Sequence, residues 1–171
     1  MTLEERLQRL EDDRAIRDLK ARYLRSADLK DPDGMAETLA PDVLIAYEGF
    51  PEFHNRQAFI AIYRDLGCAP GIHDIHHAAN GIISFDDADT ASGRWSLLFH
   101  NINLAARTLT QFGVEYADRY VRHDGRWWIT ETRSWRKSCV IQTVDTAGHP
   151  QIIVMGDAPA QFGQTPTEQE G

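Results

Sequence analysis

Apolar residues recur along this chain at two different periods, and the change comes at Gly71. Before it the spacing is helical. Leu3, Leu7 and Leu10 form one stripe, and Ala15, Ile16, Leu19, Tyr23 and Ala27 form a second, almost opposite the first on a single straight helix. Two opposed stripes predict two helices with a break near Asp12-Asp13, where either aspartate can cap the second. The first short helix would then pack elsewhere, for instance on a partner subunit. The second should end between Asp28 and Lys30, because Asp31-Pro32 biases the backbone away from α. Asp33 can cap a short helix over residues 35–39 that Pro41 closes, and residues 43–47 read as a short strand. Asn55 is placed to cap a helix over 56–66 that buries Ala58, Phe59, Ile62 and Leu66, with Gly67 just beyond its end.

From Gly71 onward the period is two. It predicts strands over 72–85, 90–108, 110–123 and 126–140, with a shorter one over 151–155. The turns fall at Asp86-Asp87-Ala88-Asp89 and at His123-Asp124-Gly125, the latter a strong hairpin signal. Three helices followed by long antiparallel strands make an α+β layout. Strands well beyond the usual length of about five or six residues should curl strongly. Helices laid across the concave face would leave a cone-shaped cavity. One domain over residues 1–157 is expected, followed by a tail over 158–171 whose end, QFGQTPTEQEG, has few apolar groups to bury and should be mobile.

Composition narrows the function classes. The chain has 171 residues, 42% of them hydrophobic and 26% charged, enough for one real core. A net charge of -8 argues against nucleic acid or an anionic membrane as partner, since phosphate repels an acidic surface. Cys68 and Cys139 are too few for a disulfide framework, so a reducing cytoplasm is the simpler reading, with one bridge left open. The opening TLEERLQRLEDDR lacks the basic-then-apolar order of a secretory signal, and no apolar run is long enough for a membrane span. A soluble cytoplasmic protein is expected.

Candidate chemistry concentrates in GIHDIHHAANGIISF, residues 71–85. Alternation along a strand groups His76 with Ala78, Asn80, Ile82 and Ser84, and groups His73 with Ile75, His77, Ala79 and Phe85. His76 and His77 therefore cannot both face a cavity, and both can equally be plain polar strand residues. The same alternation divides His73, Asp74, His76 and His77 between two faces, so no metal site is expected. Tyr23 lies in the buried stripe of its helix. Asp28, about 140° round the axis, lies on the shoulder and would swing inward if the last turn loosened. A carboxylate there is disfavoured by the helix dipole, which singles it out from an ordinary surface aspartate. Trp127, Ile129, Glu131, Arg133 and Trp135 share a face of the last long strand. An inward Arg133 would need an anionic partner such as Glu131, in a structural ion pair or at a site. Tyr116 and Asp118 could add polar groups. If the aromatic side with Trp95, Leu97 and Phe99 is the inner one, Asn101 faces the pocket and His100 does not. Phe50, Phe53, Phe59, Trp95 and Phe99 suit an aromatic or polycyclic ligand and suit a core equally well.

Three stretches, ARYLRSADLKDPDGMAETLAPDV, IHHAANGIISFDDADTASGRW and YADRYVRHDGRWWITETR, carry a Tyr-x4-Asp, a His-x3-Asn and an Asp-Gly-x-Trp element in that order. In these the chain resembles the SnoaL-like branch of the nuclear transport factor 2-like superfamily over roughly residues 10–136. Scytalone dehydratases, bile-acid dehydratases, hexachlorocyclohexane dehydrochlorinases and polyketide cyclases share that fold. The resemblance implies a cone-shaped α+β barrel with three N-terminal helices packed on a strongly curved antiparallel sheet. It implies His76 as general base, Asp28 as its orienting partner and Tyr23 as donor, with no cofactor. Arg133 matches the arginine that follows the hairpin in the dehydrochlorinases and bile-acid enzymes. The second histidine of the scytalone dehydratases falls on Asn101, a departure that weakens scytalone-type chemistry in particular. Substrate contacts are then expected from Arg133, Asn101, Tyr116, Phe99 and Phe59. The superfamily hosts lyases, isomerases and non-catalytic modules. A hydrophobic-ligand-binding module and the small subunit of a ring-hydroxylating dioxygenase therefore stand as alternatives to a dehydratase or isomerase. Trp128, Leu98 and Val121 on the outer sheet face predict a homo-oligomer. The resemblance favours a trimer over a dimer.

Overall fold

The computed structural model of the protein describes residues 1–160. Most of the expected tail, from residue 161 onward, lies outside the described residues. Helix α1 runs without interruption over Leu3–Asp28, opened by a Thr2/Glu5 capping box. The break expected at Asp12-Asp13 is absent, and packing explains why. Asp12 is buried and accepts hydrogen bonds from Trp127 Nε1 at 2.9 Å and Arg122 Nη1 at 3.0 Å, so it is tied to the sheet rather than capping a helix. Asp13 pairs with Arg17 along the helix surface. Ile16, Leu19, Tyr23, Leu24 and Ala27 form the buried face, with Ala15 exposed, while Leu3, Leu7 and Leu10 stay in solvent. The helix keeps its geometry to the end, Leu29 N–H donating to Arg25 O at 3.0 Å.

Helix α2 covers Pro32–Ala36 and is capped by Asp31, whose side chain accepts from Gly34 N–H at 2.9 Å. Asp33 is not the cap, and the helix stops before Leu39 because the chain there has joined the sheet. Strand β1, Leu39–Tyr47, runs parallel to the last long strand, β5, over Arg126–Val144. Its register slips between Leu39 and Leu44, the stretch that holds Pro41, which has no N–H to give a ladder. Asn55 caps α3, Arg56–Ile62, and a π-helical turn over Tyr63–Gly67 replaces the rest of the expected helix. The buried residue of α3 is Ile60. Ala58, Ile62 and Leu66 are exposed, the last two lining an open cavity rather than packing into a solid core.

Strands β2 (Ile72–Phe85), β3 (Thr90–Asn103), β4 (Thr108–His123), β5 (Arg126–Val144) and β6 (Pro150–Gly156) complete a six-stranded sheet. Its order is β1-β5-β4-β3-β2, and β6 pairs with the far end of β5. The sheet is therefore mixed, since β1 is parallel, although every β-hairpin is antiparallel as expected. Asp124 and Gly125 both take positive φ in the tight β4–β5 turn, the twist-matched geometry for a two-residue loop.

Bulges reset which residues face inward. Along β2, Ile72, Asp74 and His76 turn toward the helices. The register shifts at Asn80 (φ 52°), and Gly81, Ile83 and Phe85 take over the inner positions. Ile82, expected beside His76, is 65% exposed. Gly81 is required there, because a Cβ would stand 2.3 Å from the Trp95 ring. A second shift, opposite Arg119 and Tyr120, moves the inner face of β5 from Trp127 and Ile129 to Thr132, Ser134 and Arg136. Such bulges bend and twist a sheet, here into the cone that the strand lengths predicted. Under its narrow part lies a buried ion pair, Lys20 Nζ to Asp118 at 2.8 Å, with Tyr120 OH donating to the same carboxylate. Cys68 and Cys139 are both free thiols. No helix among the described residues is long and apolar enough to cross a membrane.

Candidate active site

The wide end of the cone holds a cavity of about 410 Å³ between α1, the α3 segment and the concave sheet. Its wall is rich in aromatic rings, with Tyr47, Phe53, Phe59, Tyr63, Phe99, Phe112 and Tyr116 all lining it. His76 lines that wall, and Asp28 meets it there from the end of α1. His76 Nδ1 lies 2.7 Å from Asp28 Oδ1, and the His76 backbone N–H donates to the same oxygen at 3.0 Å. Strand β2 is the sheet edge, so this N–H has no strand to pair with and the helix-end carboxylate takes it. No loosening of α1 was needed; the strand comes to the helix. With Nδ1–H donating to a carboxylate, the neutral ring carries its lone pair on Nε2, the form a general base requires. His77, next in the chain, lies on the exposed face.

Tyr23 is in the cavity wall, and its hydroxyl is 2.5 Å from that of Tyr47, which also donates to Thr132 Oγ1 at 3.5 Å. Tyr116 packs edge-on against Tyr47 with ring centroids 5.6 Å apart. Burial drives the hydroxyls of Tyr23, Tyr47 and Tyr116 well above the ordinary phenol range, and their mutual crowding and the Asp118 charge push the same way. All three are therefore protonated donors. Lys20 sits 4.0 Å over the Tyr116 ring, its own pKa drawn down by burial and held up against that by Asp118.

Asn101 lines the cavity as expected, its Nδ2 donating to Asp74 Oδ1 at 2.5 Å while Lys30 Nζ reaches Asp74 Oδ2 at 2.5 Å. The carboxylate fixes which way the amide points. Phe99 stacks on Phe112 and lies 4.8 Å from the His76 ring, and Phe59 closes the opposite wall against Tyr47 and Phe53.

Arg133 is the exception among the expected site residues. It does not line this cavity. The β5 bulge turns it outward, where its Nε bonds Glu131 Oε1 at 2.5 Å and Glu52 stands 3.8 Å away, a partly exposed structural ion pair. Arg136 points inward instead, with its side chain 5% exposed. Its Nε and Nη1 find no hydrogen-bond partner among the described residues. A buried donor left unsatisfied costs about 1–3 kcal/mol, so this arrangement calls for an explanation.

Asp74, Tyr47, Tyr63, Phe112 and Arg136 line the cavity without having been singled out as pocket residues. Asp74 was legible, two positions before His76 on one strand and therefore on its face. Arg136 was not, because its inward turn depends on a bulge that no residue type announces.

Residues 8–133 match the family of SnoaL-like domains. Among solved structures, a candidate scytalone dehydratase from Novosphingobium aromaticivorans is similar at 20% identity and a TM-score of 0.72, covering 92% of this chain and 97% of that one. Hexachlorocyclohexane dehydrochlorinase LinA-type3 from Novosphingobium barchaimii is similar at 19% identity and 0.71, covering 90% and 99%. ActVI-ORFA from Streptomyces coelicolor is similar at 16% identity and 0.61, covering 71% and 94%. These neighbours share the curled sheet and its helical cover, an α+β fold of the nuclear transport factor 2-like kind. The matched segment takes in most of α1, the cavity wall apart from Ser134 and Arg136, and most of the sheet, and by it the protein belongs to the SnoaL-like family.

Proposed function

We propose that the protein is a dehydratase-like lyase or isomerase acting without a cofactor on an aromatic, polycyclic or steroid-like small molecule. The observation that carries this reading is His76, in the wall of a largely apolar cavity, with Asp28 bonded to its Nδ1. Loss of water beside a carbonyl needs a base for the α-proton. His76 Nε2 takes it, the C–H electrons form the new double bond, and the C–O bond to the leaving hydroxyl breaks. The departing oxygen collects a proton from the imidazolium, directly or through Tyr23 and Tyr47, and leaves as water, so the enzyme returns to its starting state. Asp28 holds the ring in the required tautomer and stabilises its transient charge. Return of the proton to another carbon gives isomerisation instead. A dehydratase and a dehydrochlorinase are by name both elimination catalysts, and their presence among the similar folds supports the class.

The test is a panel of β-hydroxy ketones on aromatic and polycyclic frames, followed by the absorbance of the conjugated product. Turnover by the wild type and its loss in His76→Ala sustain the reading. A binding module without turnover is the second reading, favoured by the apolar lining; saturable binding with no product from any panel member would establish it. We further propose that the protein self-associates through the sheet face turned away from the helices, a trimer being favoured.

A further inference from the structure

We infer that Arg136 anchors a carboxylate, and that the ligand of this cavity is an aromatic or polycyclic acid carrying that group at the end remote from His76. The inference deepens the proposed function and takes from it only that the cavity is the ligand site, not that turnover occurs.

The side chain of Arg136 is more than nine-tenths buried and lines the cavity, yet two of its three nitrogens meet no acceptor among the described residues. Nη2 alone reaches one, the Ala160 carbonyl at 3.3 Å. Glu48 is the nearest carboxylate and does not answer the need. Its Oε2 accepts the Arg136 backbone N–H at 2.6 Å and stays 3.8 Å from Nε, beyond hydrogen-bond range, with the group half exposed to solvent. A guanidinium already stripped of water gains more from an anion than one that must first be desolvated, and its planar donors match a carboxylate. One positive charge with a glutamate beside it suits a monoanion and not a phosphate dianion.

The wall between the two polar ends sets the ligand's shape. From the His76 ring the line runs to Phe99 at 4.8 Å, to Phe112 at 5.9 Å in a near-parallel stack, and to the Arg136 guanidinium, 5.6 Å from the Phe112 centroid. Two phenyl rings thus separate base from anchor. A flat ring system laid along them puts one end on the imidazole and the other on the guanidinium. An acid group near His76 would instead lie beside the Asp74 carboxylate, whose neighbouring donors, Asn101 Nδ2 and Lys30 Nζ, are already bonded to it.

The full chain is titrated by calorimetry with naphthalene-2-carboxylate, its primary amide and 2-naphthylmethanol. The expected result is tighter binding of the carboxylate than of the amide by about ten-fold or more, the scale of one charge-assisted contact. Arg136→Met should remove that preference, weakening the carboxylate by more than the amide or the alcohol. Arg136→Lys should keep part of it, and Glu48→Gln should increase it. Calorimetry reads binding and not turnover, so loss of the preference in Arg136→Met bears on this inference and not on the catalytic one. Equal binding of acid and amide by the wild type overturns the inference. So does a preference that survives in Arg136→Met, or no saturable binding of any of the three probes.

Discussion

Asp28 Oδ1 takes both the backbone N–H and the ring Nδ1 of one residue, His76, at 3.0 and 2.7 Å. The double contact fixes the imidazole relative to its own strand. Removing either partner therefore removes more than a charge. His76→Ala and Asp28→Asn should each lower kcat by about 10² or more on any substrate found, since general-base catalysis is worth that much. Asp28→Asn should act mainly on kcat, the amide still accepting the backbone bond and keeping the wall in shape. Near-wild-type turnover in either variant would end the proposed mechanism.

A second prediction concerns Asp12, which replaces the expected helix break with a buried tie to Trp127 and Arg122. Asp12→Ala leaves an indole N–H without its acceptor and an arginine with only Asp89 as ion-pair partner. The expected cost is about 1–3 kcal/mol, measured as a shift of the urea midpoint with unchanged slope. A neutral result would mean that water replaces the carboxylate without penalty.

That residue also marks how far the amino-acid pattern could be read. The opposed stripes of α1 were visible, but they admit two explanations, a break or a helix that outruns its support. Only the buried partners of Asp12 decide between them. Alternation up to Asn80 put His76 and His77 on opposite faces, as the structure has them, but left open which face was inner; the resemblance chose His76, and Asn101 lies on the aromatic inner side of β3. Past each bulge the parity inverts, so Ile82 and Arg133 were assigned to the wrong face. An extra residue in a ladder leaves no mark on a period-two pattern until its strand partner is known.

The third prediction follows from the tyrosines. All five in the chain, Tyr23, Tyr47, Tyr63, Tyr116 and Tyr120, have their pKa raised, burial being the largest cause for each. Above the ordinary phenol value of about 10 the unfolded chain loses protons that the folded one keeps. The folded state then binds more protons, so stability falls as pH rises through that region and is unaffected by these groups below it. Tyrosinate absorbance should stay low in the native protein past that pH and then rise together with loss of near-ultraviolet dichroism. A smooth titration near 10 with dichroism intact would show the hydroxyls to be open to solvent, and would weaken their role as proton donors.

The last prediction concerns the sheet face away from the helices. Ile75 and Leu98 lie there on adjacent strands, 46% and 55% exposed, at neighbouring register positions, Ile75 opposite His100 and His77 opposite Leu98. Exposed apolar side chains neighbouring across strands in this way are a liability unless another copy covers them. Light scattering behind a sizing column should give a multiple of the 19.4 kDa chain mass, three-fold being favoured. Leu98→Glu should lower that mass toward one chain, because a charge buried at such an interface has no partner. Leu7→Glu on the exposed stripe of α1 should leave it unchanged. A wild type that elutes as a single chain would remove the proposal. If Leu7→Glu dissociates the protein and Leu98→Glu does not, the contact belongs to the first turns of α1, where Leu3, Leu7 and Leu10 stand without cover among the described residues.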